Sequence, residues 1–302
     1  MRASMGPNTA TLPRSTWLLL AILTLGWGMN WPMIKMGLAD IPVFTFRFLC
    51  VAAGAIGLFA IARLSGLRIA VPRAEWGPLS VMSLCNVTLW NILIAYGIQM
   101  MPSGRSAILA YTMPLWTVLL SAPVLHEKLT RRRLAGITLG MGGLGLLLAA
   151  ELASLRAAPL GALLIVGAAL SWATGTTLTK KYRSSLPTTS FTAWNLFLGG
   201  IPLAVGALLL EPSQWRPIGP SAMVGLIYNM IVAFVICHWI WFKIVSLAPA
   251  GVSALGTLTI PVVAVFSGML LLGERPEWSD YAALALIVAA VATVLIPRRQ
   301  PR

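Results

Sequence analysis

The chain has 302 residues, of which 58% are hydrophobic and 10% charged, with a net charge of +14 and a mean hydropathy of +0.84. A soluble domain carries about 25% charged residues, so a water-covered globule is excluded and an integral membrane protein is expected, with almost nothing left over for a soluble domain. The positive charge then reports topology in the bilayer, not binding of nucleic acid. Cys50, Cys85 and Cys237 lie inside apolar runs without a C-x-x-C spacing, which indicates neither a disulfide framework nor a zinc site. Arg2 and Arg14 precede an apolar stretch that continues past Pro32 with no A-x-A pattern, so it reads as a retained first helix.

Apolar windows of about 20 residues are the length of a spanning helix. Ten occur, at 16–36, 41–63, 76–98, 103–123, 132–151, 158–180, 189–210, 219–243, 250–271 and 279–296. Pro, Gly and most of the charge fall between them. With both termini cytoplasmic, six of the 22 basic residues lie on or near the outer side: Lys35, Arg47, Arg105, Arg156, Arg216 and Arg275. The other sixteen face the cytoplasm, a clear positive-inside bias. The expectation is an all-α protein with ten transmembrane helices, multi-pass in the inner (plasma) membrane.

The chain is also one unit written twice. Residues 102–127 and 249–274 match without a gap at an offset of 147, including Gly104/Gly251, Ser106/Ser253, Thr112/Thr259, Pro114/Pro261 and Glu127/Glu274. Trp27/Trp172 and Lys35/Lys180 match at 145, and Thr45/Thr192 at 147, where Arg47 stands opposite Trp194. Five spans per unit, an odd number, put the copies in opposite orientations. Residues 1–153 and 154–302 are therefore expected to form two inverted five-helix repeats within one membrane domain. Inverted repeats with interrupted helices near the midplane are a recurring plan of secondary transporters. Pro114 and Pro261 are the expected gating points.

Polar and aromatic residues deep in the spans are the candidates for a substrate site, because an unpartnered polar group in hydrocarbon costs about 2–7 kcal/mol. Helix 1 offers Trp27, Asn30 and Trp31, and helix 3 offers Ser83, Asn86 and Trp90, spaced for one face. Helix 4 has Tyr111 and Thr112 beside Pro114, and helix 6 has Trp172, Thr174, Thr176 and Thr177. In helix 8, Tyr228 and Trp239 are eleven residues apart and so on one face of an α-helix, with Asn229 and His238 nearby. Helix 9 adds Ser253, Thr257 and Thr259. For the deep tryptophans, packing and cavity lining both fit. Asn, Ser and Thr in spans also serve as interhelical glue at about 0.6 kcal/mol each. Trp17, Trp76, Trp215, Trp241 and Trp278 fall near span ends, where an aromatic belt is expected. Glu127 and Glu274 are expected to end their helices and pair with basic neighbours. Arg47 has three readings: partner of a substrate carboxylate, lock onto a neighbour's carbonyls, or a side chain snorkelling to the interface.

These residues resemble the EamA-type branch of the drug/metabolite transporter superfamily. The resemblance is carried by Trp27-Gly28-Met29-Asn30 with Lys35, by Phe46-Arg47-Phe48, and by Pro114 with Glu127 and Pro261 with Glu274. Within the branch the chain looks most like the YddG-type exporters of aromatic amino acids. The resemblance implies a ten-helix basket in which helices 1, 3, 4, 6, 8 and 9 line a central cavity and helices 5 and 10 are peripheral. It also implies export of amino acids, aromatic ones preferred, as the small-molecule substrate.

The rival within transport is proton-coupled efflux of drugs or other metabolites. All eight acidic residues lie in loops or at span ends, and His238 is the titratable group left inside a span. Facilitated, gradient-driven movement is therefore the expectation. A membrane enzyme is disfavoured: there are two His, no H-E-x-x-H, no G-x-S-x-G and no carboxylate pair in a span. No catalytic residue, cofactor or metal is assigned, and a non-transporting scaffold would have no use for broken helices.

Overall fold

A computed structural model describes residues 14–126, 130–153, 159–214, 217–247 and 259–295, and every regular element among them is helical. Apolar runs close into helices because hydrocarbon gives the backbone no partner but itself. The described residues form ten helical segments. They are α1 (Arg14–Gly37), α2 (Val43–Leu64), α3 (Arg73–Met100), α4 (Ser103–Leu125) and α5 (Arg131–Ala153) in the first half. In the second half come α6 (Pro159–Lys181), α7 (Thr188–Leu210), α8 (residues 220–247), α9 (Ile260–Leu272) and α10 (Trp278–Leu295). Seven are long and apolar enough to cross a membrane, and α5, α9 and α10 hold shorter apolar helices. Each overlaps one of the ten sequence windows.

Among the described residues, three segments depart from plain α-helix. In α3 the turn Leu84–Leu89 is π-helical, and in α8 the stretch Tyr228–Ile236 is. Adding 147 to 84–89 falls inside the second stretch. In α4 the helix stops at Ala110 and restarts at Met113, the stop held by Thr112 Oγ1 donating to Leu109 O at 2.6 Å. In α9 the helix starts at Ile260, directly after Thr259. Pro114 and Pro261 each sit in the first turn of the new helix. There the missing N–H costs nothing and the fixed φ suits the helix. Pro114 therefore comes just after a break instead of kinking a continuous helix, and Pro261 likewise sits in a helix's first turn.

Packing crosses between the halves. α1 lies against α8 and α9, α6 against α3 and α4, and α2 against α7, while α5 and α10 pair with each other. Small residues let the backbones approach closely. Gly140 faces Leu115, and Gly143 faces Ile287 and Ala283 O.

Gly225 of α8 makes the tightest case. A Cβ there would stand 2.5 Å from Met33 O and 2.7 Å from Gly37 N, both backbone atoms of α1 that cannot swing away. Gly225→Ala is expected to lower stability by about 1–3 kcal/mol through overpacking, read as an earlier thermal unfolding transition in detergent. Gly77→Ala, with nothing within 4 Å of the added Cβ, should leave the transition where it is or raise it slightly.

Candidate functional site

Two aromatic clusters are built where the first helix of one half meets the third helix of the other. In the α1–α8 cluster, Trp27 stands edge-on to His238 at 5.6 Å between ring centroids and tilted to Trp241 at 5.9 Å. His238 also stacks on Phe234 at 5.5 Å. Both Trp27 Nε1 (3.2 Å) and His238 Nδ1 (2.9 Å) converge on the carbonyl of Ala233. A carbonyl only accepts, so His238 carries its proton on Nδ1. Ala233 lies in the π-helical stretch, whose altered bonding pattern presents its carbonyl to outside donors. Tyr228 Oη closes the contact by donating to Gly26 O at 2.9 Å.

The α3–α6 cluster repeats the plan with other residues. Trp90 and Trp172 lie 4.9 Å apart between ring centroids. Ser171 Oγ donates to Cys85 O at 2.7 Å, again a carbonyl of a π turn. Asn86 packs into the space left by Gly175, where a Cβ would collide with its amide. Its Oδ1 is buried and receives no hydrogen bond among the described residues, as is true of Asn30 Oδ1, Asn229 Oδ1 and Thr177 Oγ1 on the same four helices. Rings and unpartnered polar atoms on the same helices suit a small ligand that is part apolar and part polar.

Other predicted residues fall elsewhere. Trp31 is buried in the main apolar core, and Tyr111 packs against that core at the α4 break. Thr176 is half-buried, and Thr174 Oγ1 donates to Leu170 O in its own helix. Trp239 is 43% exposed and joins neither ring cluster. The expected common face of Tyr228 and Trp239 assumes 3.6 residues per turn. The wider π turns between them rotate the downstream part of the helix, so Trp241, thirteen residues on, shares the α1 side with Tyr228. Trp241 therefore belongs to a ring cluster and not to the interfacial belt that its position near a span end suggests. Ser171 and Asn91 are further members that the sequence does not single out, since nothing in the local pattern marks a π turn. Ser253, Thr257, Glu127 and Trp215 lie outside the described residues.

At one end of the bundle, Glu274 ties the halves together. It accepts from Ser103 N (2.7 Å), Ser103 Oγ (2.9 Å) and Gly104 N (3.2 Å), so it caps α4 from the far end of α9. Lys35 Nζ reaches Glu274 at 3.3 Å and Met101 O at 3.0 Å. Beside them Arg105 pairs with Asp280 through two bonds of 2.6 and 3.0 Å, joining α4 to α10. At the same end Glu211 caps α2, accepting from Phe44 N, Thr45 N and Thr45 Oγ1. These acidic groups are helix caps and ties, as the sequence suggested for Glu274. Arg47 is different: it is 2% exposed, which rules out snorkelling, and its Nε and Nη2 find no acceptor among the described residues.

Long apolar helices enclosing such groups define a multi-pass membrane protein. The EamA-like transporter family matches the chain twice in tandem, over residues 15–149 and 159–296. The chain belongs to the EamA-like transporter family. It is 27% identical to the uncharacterized transporter YoaV of Bacillus subtilis over 84% of this chain and 87% of that protein. It is 29% identical to a probable amino-acid metabolite efflux pump of Salmonella typhimurium, over 93% of this chain and 94% of that protein. A crystal structure 22% identical in sequence aligns with a TM-score of 0.65 over 93% of this chain and 96% of that one, a likeness of fold.

Removing the Glu274 carboxylate strips a cap from α4 and the ion pair from Lys35. Glu274→Ala is expected to cost about 1–3 kcal/mol, measured as a lower unfolding temperature of the purified protein. Glu274→Gln, which keeps an acceptor for the α4 N–H groups, should lose less. Equal losses in both variants would assign the effect to the Lys35 charge pair instead.

Proposed function

We propose that the protein exports amino acids, aromatic ones preferred, together with similar small metabolites, from the cytoplasm across the inner membrane by facilitated alternating access. The observation that carries this reading is the pair of cross-half aromatic clusters, on helices that also carry buried amide oxygens, Asn30 Oδ1 and Asn86 Oδ1, with no hydrogen-bond partner among the described residues. Rings stack on an apolar side chain, while amide and hydroxyl groups hold the polar end. Two relatives of full-length coverage, from Salmonella typhimurium and Escherichia coli, are named as probable amino-acid metabolite efflux pumps, which supports the substrate class. The aromatic preference rests on the ring clusters and on the resemblance drawn from the sequence.

In this reading the ten segments are ten spans, residues 1–153 and 154–302 are inverted repeats, and both termini are cytoplasmic. Pro114, just after the break in α4, and Pro261, in the first turn of α9, are then the bending points, one for each mouth. Each chemical role belongs to binding and movement, and none to catalysis. The orientation is tested with Thr130→Cys and Ser213→Cys in a background lacking the native cysteines. An impermeant thiol reagent should reach Thr130→Cys from the cytoplasmic side and Ser213→Cys from the outside. Labelling of both from one side would overturn the topology.

Transport is tested with labelled phenylalanine in liposomes containing the purified protein. Movement is expected downhill in either direction without ion gradients, and Pro114→Ala or Pro261→Ala should slow it more than they weaken binding. A pH difference should produce no accumulation above equilibrium, because His238 is held by Ala233 O and by ring contacts as a neutral core group. Uphill accumulation that vanishes in His238→Ala would favour proton-coupled efflux.

A further inference from the structure

Lys35, Lys180 and Arg47 all fall within the sequence windows. Lys35 is taken up by Glu274 and Met101 O, and Lys180 is exposed. Arg47 is left buried. Its guanidinium lies over the ring of its neighbour Phe46, with Cζ 5.6 Å from the centroid, which does nothing for the N–H donors. Glu211 is the carboxylate nearest along the packed α2–α7 pair, and both its oxygens are committed to the first turn of α2. Buried charge without a partner is among the most costly things a membrane helix can carry.

The direction of the side chain is fixed by its helix. Val43, Arg47, Cys50 and Gly54 recur at three- and four-residue spacing and are all buried, so Arg47 points to the interior. Val43, one turn nearer the helix start, lines an open cleft of about 530 Å³ together with Asp40, Tyr96, Gln99 and Glu211. Arg47 does not itself line the cleft and stands one helical turn beyond its Val43 edge. The two carboxylates in the lining already accept backbone hydrogen bonds, Asp40 from Gly219 N and Glu211 from Phe44 N and Thr45 N.

We propose that Arg47 is the group that reads the substrate's carboxylate, a buried subsite on this face of α2 one turn beyond the cleft's Val43 edge. The inference rests on the amino-acid reading above and adds which residue sets the demand for an acid. A guanidinium offers a carboxylate two parallel donors, a geometry that neither Lys nor a neutral amide reproduces.

The test uses the full-length protein in liposomes, with labelled phenylalanine as substrate and phenylalaninamide and phenethylamine as competitors that lack the carboxylate. In the wild type, unlabelled phenylalanine should compete at least tenfold better than either. In Arg47→Gln its half-inhibitory concentration should rise at least tenfold while those of the amide and amine change less than twofold. Arg47→Lys should fall between. Arg47→Gln that keeps the wild-type preference for the acid, or that loses acid and amide equally while still folded, overturns the assignment. Where Arg47→Gln does not fold, thermal protection of the wild type decides: phenylalanine must protect and phenylalaninamide must not, and equal protection overturns the proposal. A wild type that moves no amino acid refutes the transport reading itself, a result separable from a working transporter indifferent to Arg47.

Discussion

Hydrocarbon supplies no hydrogen bonds, so every backbone break inside the membrane has to be satisfied by another part of the chain. This constraint explains why the two halves are so closely interlocked. The π turns of α3 and α8 present carbonyls that plain α-helix would keep to itself, and each is met by a side chain from the other half. Ser171 of α6 serves Cys85, and Trp27 of α1 serves Ala233, where His238 also donates from within α8. The start of α4 has N–H groups with no intrahelical partner, and Glu274 from α9 supplies the acceptors. Irregular backbone is tolerated here because it is buried in protein, and its partners come from across the repeat boundary.

Much of the fold is legible in the sequence because hydropathy and turn residues act locally. Each of the ten windows overlaps a helical segment, and the described ends differ by a few residues except at the start of the ninth window, whose first residues lie outside the described ones. The 147-residue offset likewise relates Pro114 to Pro261. Chemistry that forbids a mid-helix proline favours it in a first turn, and both prolines stand in first turns. The π turns are not legible at all. Leu84–Leu89 and Tyr228–Ile236 contain ordinary apolar residues, and their geometry arises from tertiary packing that no local pattern encodes.

That omission accounts for the exchange of Trp239 and Trp241 at the candidate site. Carrying helical phase across Tyr228–Ile236 at 3.6 residues per turn brings Trp239 inward and leaves Trp241 at the margin. In the structure Trp241 meets Trp27 and Trp239 is half exposed. Upstream of the π stretch and across the shorter one in α3, phase and structure agree. Trp27 and Tyr228 meet at the α1–α8 contact, and Asn86 and Trp90, four residues apart, both face α6. Arg47 stands out in the sequence by cost alone. Choosing among its three readings requires burial and the positions of nearby acceptors, both properties of the fold.

The repeats have kept their scaffold and let their chemistry diverge. Under the 147-residue offset Trp90 corresponds to Cys237, Asn91 to His238 and Arg47 to Trp194. Trp194 is not a latent copy of the cationic position. Its Nε1 donates to Ile69 O at 2.8 Å, and its ring sits 5.1 Å from both Phe59 and Trp76. It is a fully engaged packing residue where its counterpart is an unpaired charge. Asn91 and His238 share a task, each donating to a carbonyl in the π segment just before it, but only the imidazole adds a ring to the aromatic cluster. Repetition in the backbone is thus not matched by repetition in the side chains. A ligand held between the two halves would meet different groups on each.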